Sequence, residues 1–125
     1  MQWWMYLLYA LLLWFVISRL LPVRGLTNLT TAEVQERLKK PKDFVFVDVR
    51  EVGEYRAGHI PGFQNIPLSQ LRTRVGEIDS SKPVILTCQS GMRSKQAAKT
   101  LHKHGFRNLS HLKTGMSGWN GNVVK

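Results

Sequence analysis

Cysteine is almost missing from this chain: Cys88 is the only one in 125 residues. A single thiol excludes an intrachain disulfide and fits a reducing compartment. Acidic residues are sparse as well, 8 Asp and Glu against 18 Lys and Arg, for a formal net charge of +10. That balance suits anionic ligands or an anionic lipid leaflet as readily as a plainly solvated surface. It does not point to nucleic acid, because the basic residues are scattered and no aromatic-basic stacking motif occurs. Histidine is limited to 4 positions. His102 and His104 stand two apart on a predicted helix and diverge, while His59 and His111 are isolated, so no metal site and no cofactor are expected. No internal repeat or low-complexity segment is present, which excludes a repeat architecture.

Charge is absent from the N-terminus, where no Asp, Glu, Lys or Arg precedes Arg19. What is there is the apolar run "WWMYLLYALLLWFVI", Trp3 to Ile17. A cleaved signal peptide needs a basic start and a small-residue cleavage site, and "SRLLPVRG" is a poor one. An amphipathic surface helix needs a polar face, which the run lacks. The reading that remains is a transmembrane helix over residues 1–23, with Arg19 extending to the interface so that Leu20 and Leu21 add length, and Pro22 ending it. Trp3, Trp4 and Trp14 would sit near the headgroup layers. Positive charge follows at Arg19, Arg24, Arg37, Lys39, Lys40 and Lys42. A single pass is therefore expected, with the N-terminus outside, the C-terminal domain in the cytoplasm, and membrane lipid and a membrane protein as partners. Residues 24–28 read as a linker and 29–125 as one domain.

In that domain, "LTTAEVQERLKK" predicts a helix with a Thr30/Glu33 capping box, closed by Pro41. "FVFVDV", residues 44–49, predicts a strand. "EVGEYRAG" predicts a short helical turn ending at Gly58, and "HIPGFQNIP" a structured loop. "LSQLRTRV" predicts a helix, and "VILT" after Pro83 a second buried strand. "MRSKQAAKTLHKH" predicts a helix with Ala97, Ala98 and Leu101 on one face and Gly105 beyond its end. "NLSHL" predicts a third strand, and "MSGWNG" a final turn. Helices alternating with short strands predict an α/β fold, a mainly parallel central sheet flanked by helices.

The one cysteine lies in "TCQSGMRSK", between a strand and a helix. A loop over the C-terminal end of a parallel strand sits where open α/β sheets bind ligands. Gly91 permits a tight turn, backbone N–H groups converge, and the following helix presents the positive end of its dipole. Arg93 adds charge. An anion is stabilised there, which favours the thiolate, the nucleophilic form of Cys88. Taken alone, a cysteine after an apolar strand is a buried small hydrophobe; Gly91, Arg93 and Ser94 before a helix shift the balance toward a working sulfur.

Three segments carry a resemblance to a known family. "FVDVREVGEYRAGHIPGFQNIPLSQL" resembles the first signature of single-domain rhodanese-like proteins, "VILTCQSGMRSKQAAKTL" their active-site loop, and "GFRNLSHLKTGMSGWNG" their closing segment. The match runs from about residue 27 to the C-terminus. It implies a rhodanese-like domain and sulfurtransferase activity. Cys88 would take sulfane sulfur from a small anionic donor such as thiosulfate, hold it as a persulfide, and yield it to a thiol or other thiophilic acceptor. The loop Gln89, Ser90, Gly91, Met92, Arg93 and Ser94 would bind it, its amides cradling the terminal sulfur. Arg93 would guide the donor or brace the loop. Ser94 would cap the helix or donate to the bound sulfur. Gln89 departs from members that carry a basic residue after the cysteine, which weakens thiosulfate as the physiological donor.

Asp48, Arg50 and His59 are supporting candidates. Asp48 would accept hydrogen bonds from the active loop or pair with an arginine, mainly as a carboxylate in the sheet-end network; Arg50 reads as an ion-pair partner of Glu51 or Glu54, and His59 as a hydrogen-bonded structural histidine. Trp119 reads as packing at the end of the domain. Three rival functions remain: a phosphatase or arsenate reductase, disfavoured because only Gln89, Ser90, Gly91 and Met92 separate cysteine from arginine; a non-catalytic membrane-anchored recognition module; and a redox sensor built on a reactive thiolate.

Overall fold

The structure, a computed structural model, describes residues 2–20 and 25–125, with the backbone alone at residues 19 and 20. The chain opens with helix α1 (Trp3–Leu20), and most of its described apolar side chains, Trp3 and Trp14 among them, are exposed. Among the described residues, no helix is long and apolar enough to cross a membrane. That overturns the expected membrane-spanning helix, and with it the single-pass placement with the N-terminus outside. The physical reason is length and composition. The 18 residues of α1 rise about 27 Å, short of a hydrocarbon core of roughly 30 Å. Trp3, Trp4, Tyr6, Tyr9 and Trp14 also place N–H and O–H groups along it. The expected helix end at Pro22, the added length of Leu21 and the start of the linker at Arg24 lie outside the described residues.

The domain then runs β1 (Leu26–Leu29), α2 (Thr31–Leu38), β2 (Val45–Asp48), α3 (Val52–Ala57), β3 (Gln64–Asn65), α4 (Leu68–Arg74), β4 (Val84–Thr87), α5 (Met92–Lys103) and β5 (Leu109–Leu112). Thr30 and Glu33 form the expected capping box at the start of α2, each side chain meeting the other's backbone N–H. The five strands form one parallel sheet in the order β1-β5-β4-β2-β3. Two strands were not foreseen. β1 covers residues 26–28 of the expected linker together with Leu29, and β3 lies inside the stretch read as loop. Both are edge strands: the sequence of β1, Leu-Thr-Asn-Leu, shows no apolar alternation, and β3 has only two residues.

Side-chain alternation divides the core into two layers. Val45 and Val47 of β2, Val84 and Leu86 of β4 and Leu109 of β5 face α4 and α5, where Leu71, Ala97, Ala98 and Leu101 meet them. Phe46, Ile85 and Leu112 face the other way, toward Val34 of α2 and toward Ile60, Phe63 and Trp119. Each fully buried Leu or Ile contributes about 1.5–3 kcal/mol of burial. The small Ala97 and Ala98 bring α5 close to β4, which sets the start of that helix against the end of the strand.

Candidate functional site

Strand β4 ends at Thr87, and Cys88 follows at the C-terminal edge of the sheet. The chain then turns back through Gly91, whose φ of 93° lies in the left-handed region. A side chain there would also strike the Lys113 carbonyl. Gly91 is the N-cap of α5. This geometry returns the first turn of the helix over the sulfur. The Gly91 N–H donates to Cys88 Sγ at 3.0 Å and the Ser94 N–H at 3.3 Å. Helix first-turn amides have no intrahelical acceptor, so the sulfur satisfies groups that would otherwise be unpaired. Cys88 is fully buried, whereas Gln89, Ser90 and Met92 are exposed.

A second turn, the 3₁₀ segment Gly115–Gly118, clamps the loop from the other side. Met116 N–H donates to the Cys88 carbonyl at 2.8 Å, and Ser117 donates to the Gln89 carbonyl through N–H at 3.0 Å and Oγ at 2.8 Å. Gly115, at φ 63°, has the Cys88 carbonyl where a side chain would stand. The closing segment therefore positions the cysteine loop through two backbone amides and the Ser117 hydroxyl.

Arg93 braces the loop. Its guanidinium grips Glu54 of α3 with two bonds of 2.6 and 2.9 Å. That hydrogen bonding holds the Glu54 carboxyl well below its ordinary range, at about 2, and keeps Arg93 firmly protonated. Ser94, the third helical residue, does not cap α5, and its hydroxyl meets His111 Nδ1 at 2.6 Å. His111 in turn meets Asn28 Oδ1 through Nε2 at 2.7 Å. Burial, with Lys95 and Lys113 nearby, lowers the pKa of His111 to about 4. Neither His111 nor Asn28 was foreseen as a site residue. The signal was parity: Leu109 and His111 point to the same sheet face, toward α5. It needed the strand register, in which Asn28 of β1 lies opposite His111.

The supporting candidates form a separate network. Asp48 and Arg50 make a buried pair, Nη2 to Oδ2 at 2.9 Å and Nε to Oδ1 at 3.1 Å. Arg50 also donates to the Gly58 carbonyl at 2.7 Å. This corrects the expected pairing of Arg50 with Glu51 or Glu54: Glu51 accepts from Ser69, and Glu54 is held by Arg93. His59 stacks on Tyr55 with ring centroids 3.7 Å apart, and its Nδ1–H donates to the Tyr55 carbonyl at 2.9 Å. Its backbone pairs with Val124. These are structural contacts. Trp119 packs with the layer around Ile60 and Phe63, as expected. A cavity of about 460 Å³ beside Gln35, Leu38, Ile60 and Trp119 belongs to that layer, on the face away from Cys88. Among the described residues, no three His, Cys, Asp or Glu side chains gather to hold a metal ion.

A parallel sheet with one cysteine at a strand end, met by two amides at the start of the next helix, defines an α/β protein with a cysteine-headed loop. The chain belongs to the rhodanese-like domain family, whose pattern matches residues 30–122. It is 40% identical over 114 residues to the Bacillus subtilis protein YqhL, covering 91% of this chain and 88% of that one. It is 32% identical over 92 residues to the thiosulfate sulfurtransferase GlpE of Pseudoalteromonas translucida, covering 74% and 87%. The crystal structure of a rhodanese-related protein from Thermoplasma volcanium superposes with a TM-score of 0.70 at 29% identity, covering 78% of this chain and 97% of that one.

Proposed function

We propose that this protein is a sulfurtransferase that carries sulfane sulfur on Cys88, with residues 29–125 as the domain that does the work. The observation that supports it most is the pair of backbone N–H groups, from Gly91 and Ser94, aimed at a single buried sulfur at the N-terminus of α5. Such donors stabilise negative charge without a protonated side chain, and they cost no reorganisation when charge develops. In the first step the Cys88 thiolate attacks the outer sulfur of a donor such as thiosulfate. The new S–S bond forms as the bond to the sulfonate sulfur breaks, and sulfite leaves with that electron pair. In the second step an acceptor thiolate attacks the terminal sulfur of the persulfide, takes it, and returns Cys88 as thiolate. Charge is conserved in both steps, and no oxidant is consumed.

Arg93 supports this role indirectly. Its fork is filled by Glu54, so it fixes the loop, and the carboxylate offsets its positive charge. Gln89, the exposed residue after Cys88, offers an amide where a cation would grip thiosulfate more strongly. Weak saturation by thiosulfate is the consequence, with better transfer from thiol-bound sulfane donors. Intact-mass measurement after mixing with thiosulfate, run beside sulfite release, tests the reading. One added sulfur atom on the wild-type chain and none on Cys88→Ser is the expected result. If no donor adds sulfur to the wild-type protein, the reading fails.

A further inference from the structure

One polar chain, buried at Ser94 and His111, has no part in the chemistry above. It runs from Asn28 on β1 through His111 on β5 to Ser94 on α5 and ends beside the sulfur. Asn28 Oδ1 stands 2.7 Å from His111 Nε2, and His111 Nδ1 stands 2.6 Å from Ser94 Oγ. Ser94 Oγ lies 3.1 Å from the Gly91 carbonyl oxygen and 3.7 Å from Cys88 Sγ. His111 and Ser94 are fully buried, while Asn28 is exposed.

Proton accounting decides what the chain does. The Asn28 amide oxygen only accepts, so His111 Nε2 carries the ring proton. Burial keeps the imidazole neutral, which leaves Nδ1 bare. Ser94 has one hydroxyl proton and three acceptors within reach, and Nδ1 is the nearest. The proton goes there. The Ser94 oxygen then presents lone pairs to the sulfur, where it can receive a thiol S–H and cannot donate to a thiolate.

We propose that Asn28 and His111 are positioning residues that commit the Ser94 hydroxyl proton to Nδ1 and so keep it off the Cys88 sulfur. This rests on Cys88 being the working sulfur. The two backbone amides favour charge on Sγ, and the Ser94 oxygen opposes it. Once a second sulfur is attached, the charge moves to the terminal atom and away from that opposition. The chain thereby withholds one hydrogen-bond donor from the resting sulfur, a restraint that the terminal atom of a persulfide does not meet. The surrounding cations are Arg93 and Lys95 on α5 and Lys113 after β5. They stand outside the chain and are unaltered in the variant below.

The test begins with nitrogen NMR of histidine-labelled, reduced, full-length protein at neutral pH. His111 should show the Nε2–H tautomer with a bare Nδ1, and an Nδ1–H signal overturns the proposal. Asn28→Ala then removes the acceptor at an exposed position, which frees the ring to tautomerise and releases the Ser94 proton from Nδ1 to be shared between the Gly91 carbonyl and the sulfur. Read from thiolate ultraviolet absorbance at neutral pH, as the difference from Cys88→Ser, the thiolate-to-thiol ratio should rise about three- to tenfold, the effect of about one hydrogen bond. A ratio that stays level or falls, in a variant whose melting is cooperative, overturns it. Neither measurement uses a sulfur donor, so this proposal and the sulfurtransferase reading fail separately.

Discussion

At the scale of single residues, the sulfur site depends on groups that are held in one protonation state by their surroundings. His111 shows this most directly. Its pKa is lowered from 6.5 to about 4, first by burial and then by Lys95 and Lys113. The unfolded chain therefore binds a proton at this residue between those two values, and the folded chain does not. Stability falls as pH drops through that window and is level above it. The expected loss is on the order of 3 kcal/mol by the lower end, measured by urea denaturation across pH 7 to pH 4. His111→Gln should remove most of that slope. A wild-type slope no steeper than the variant's would mean that the imidazole is charged in the fold. Glu54 works in the other direction along the chain: Arg93 keeps its carboxylate charged far into acid, so the brace on the loop outlasts the state of His111.

Among elements, position is set by how each helix begins and by which face each strand presents. The start of α2 is a reciprocal cap. Thr30 Oγ1 accepts from Glu33 N–H at 3.2 Å, and the Glu33 carboxylate accepts from Thr30 N–H at 3.1 Å. Thr30→Ala removes one side of it and should cost about 1 kcal/mol, read as a shift in chemical denaturation midpoint. No shift would show that the helix is held by Val34 packing alone. The start of α5 is different. Gly91 has no side chain to cap with, and the acceptor for its turn is the Cys88 sulfur. The helix thus lends its unpaired amides to the site. Strand parity does the rest. Leu86 and Cys88 point toward α5 from β4, and Leu109 and His111 do so from β5, so sulfur and imidazole meet on the same side of the sheet.

Across the whole molecule, the sheet end is tied together by the Asp48–Arg50 pair. Arg50 reaches Asp48 and the Gly58 carbonyl, and Asn65 Nδ2 donates to the carbonyls of Asp48 and Arg50. Strand β2, the loop after α3 and strand β3 are joined through these bonds. Both charged side chains are withdrawn from water, at 5% and 0% exposure. Arg50→Ala would leave Asp48 buried without its partner and should cost about 3–5 kcal/mol, measured by thermal or urea unfolding. A loss under about 1 kcal/mol would mean that water enters and solvates the carboxylate. Helix α1 stands apart from this logic. Most of its described side chains are apolar and exposed, and among the described residues no helix is long and apolar enough to span a bilayer.

Much of this was readable from the order of residues. Local signals are carried by neighbours a few positions apart, so the Thr30/Glu33 cap, the apolar runs of β2 and β4, the turn at Gly91 and the cysteine loop with its arginine were all visible in sequence. The parallel α/β layout followed from the alternation of those elements. What folding alone decided depends on partners far apart in the chain. Arg50 chose Asp48 over Glu51 and Glu54 because the strand end buries them together. Asn28 and His111, 83 positions apart, became neighbours only through the register of β1 on β5. Pairing between strands obeys hydrogen-bond geometry and burial across the sheet, and no local pattern in the chain encodes which edge a strand will join.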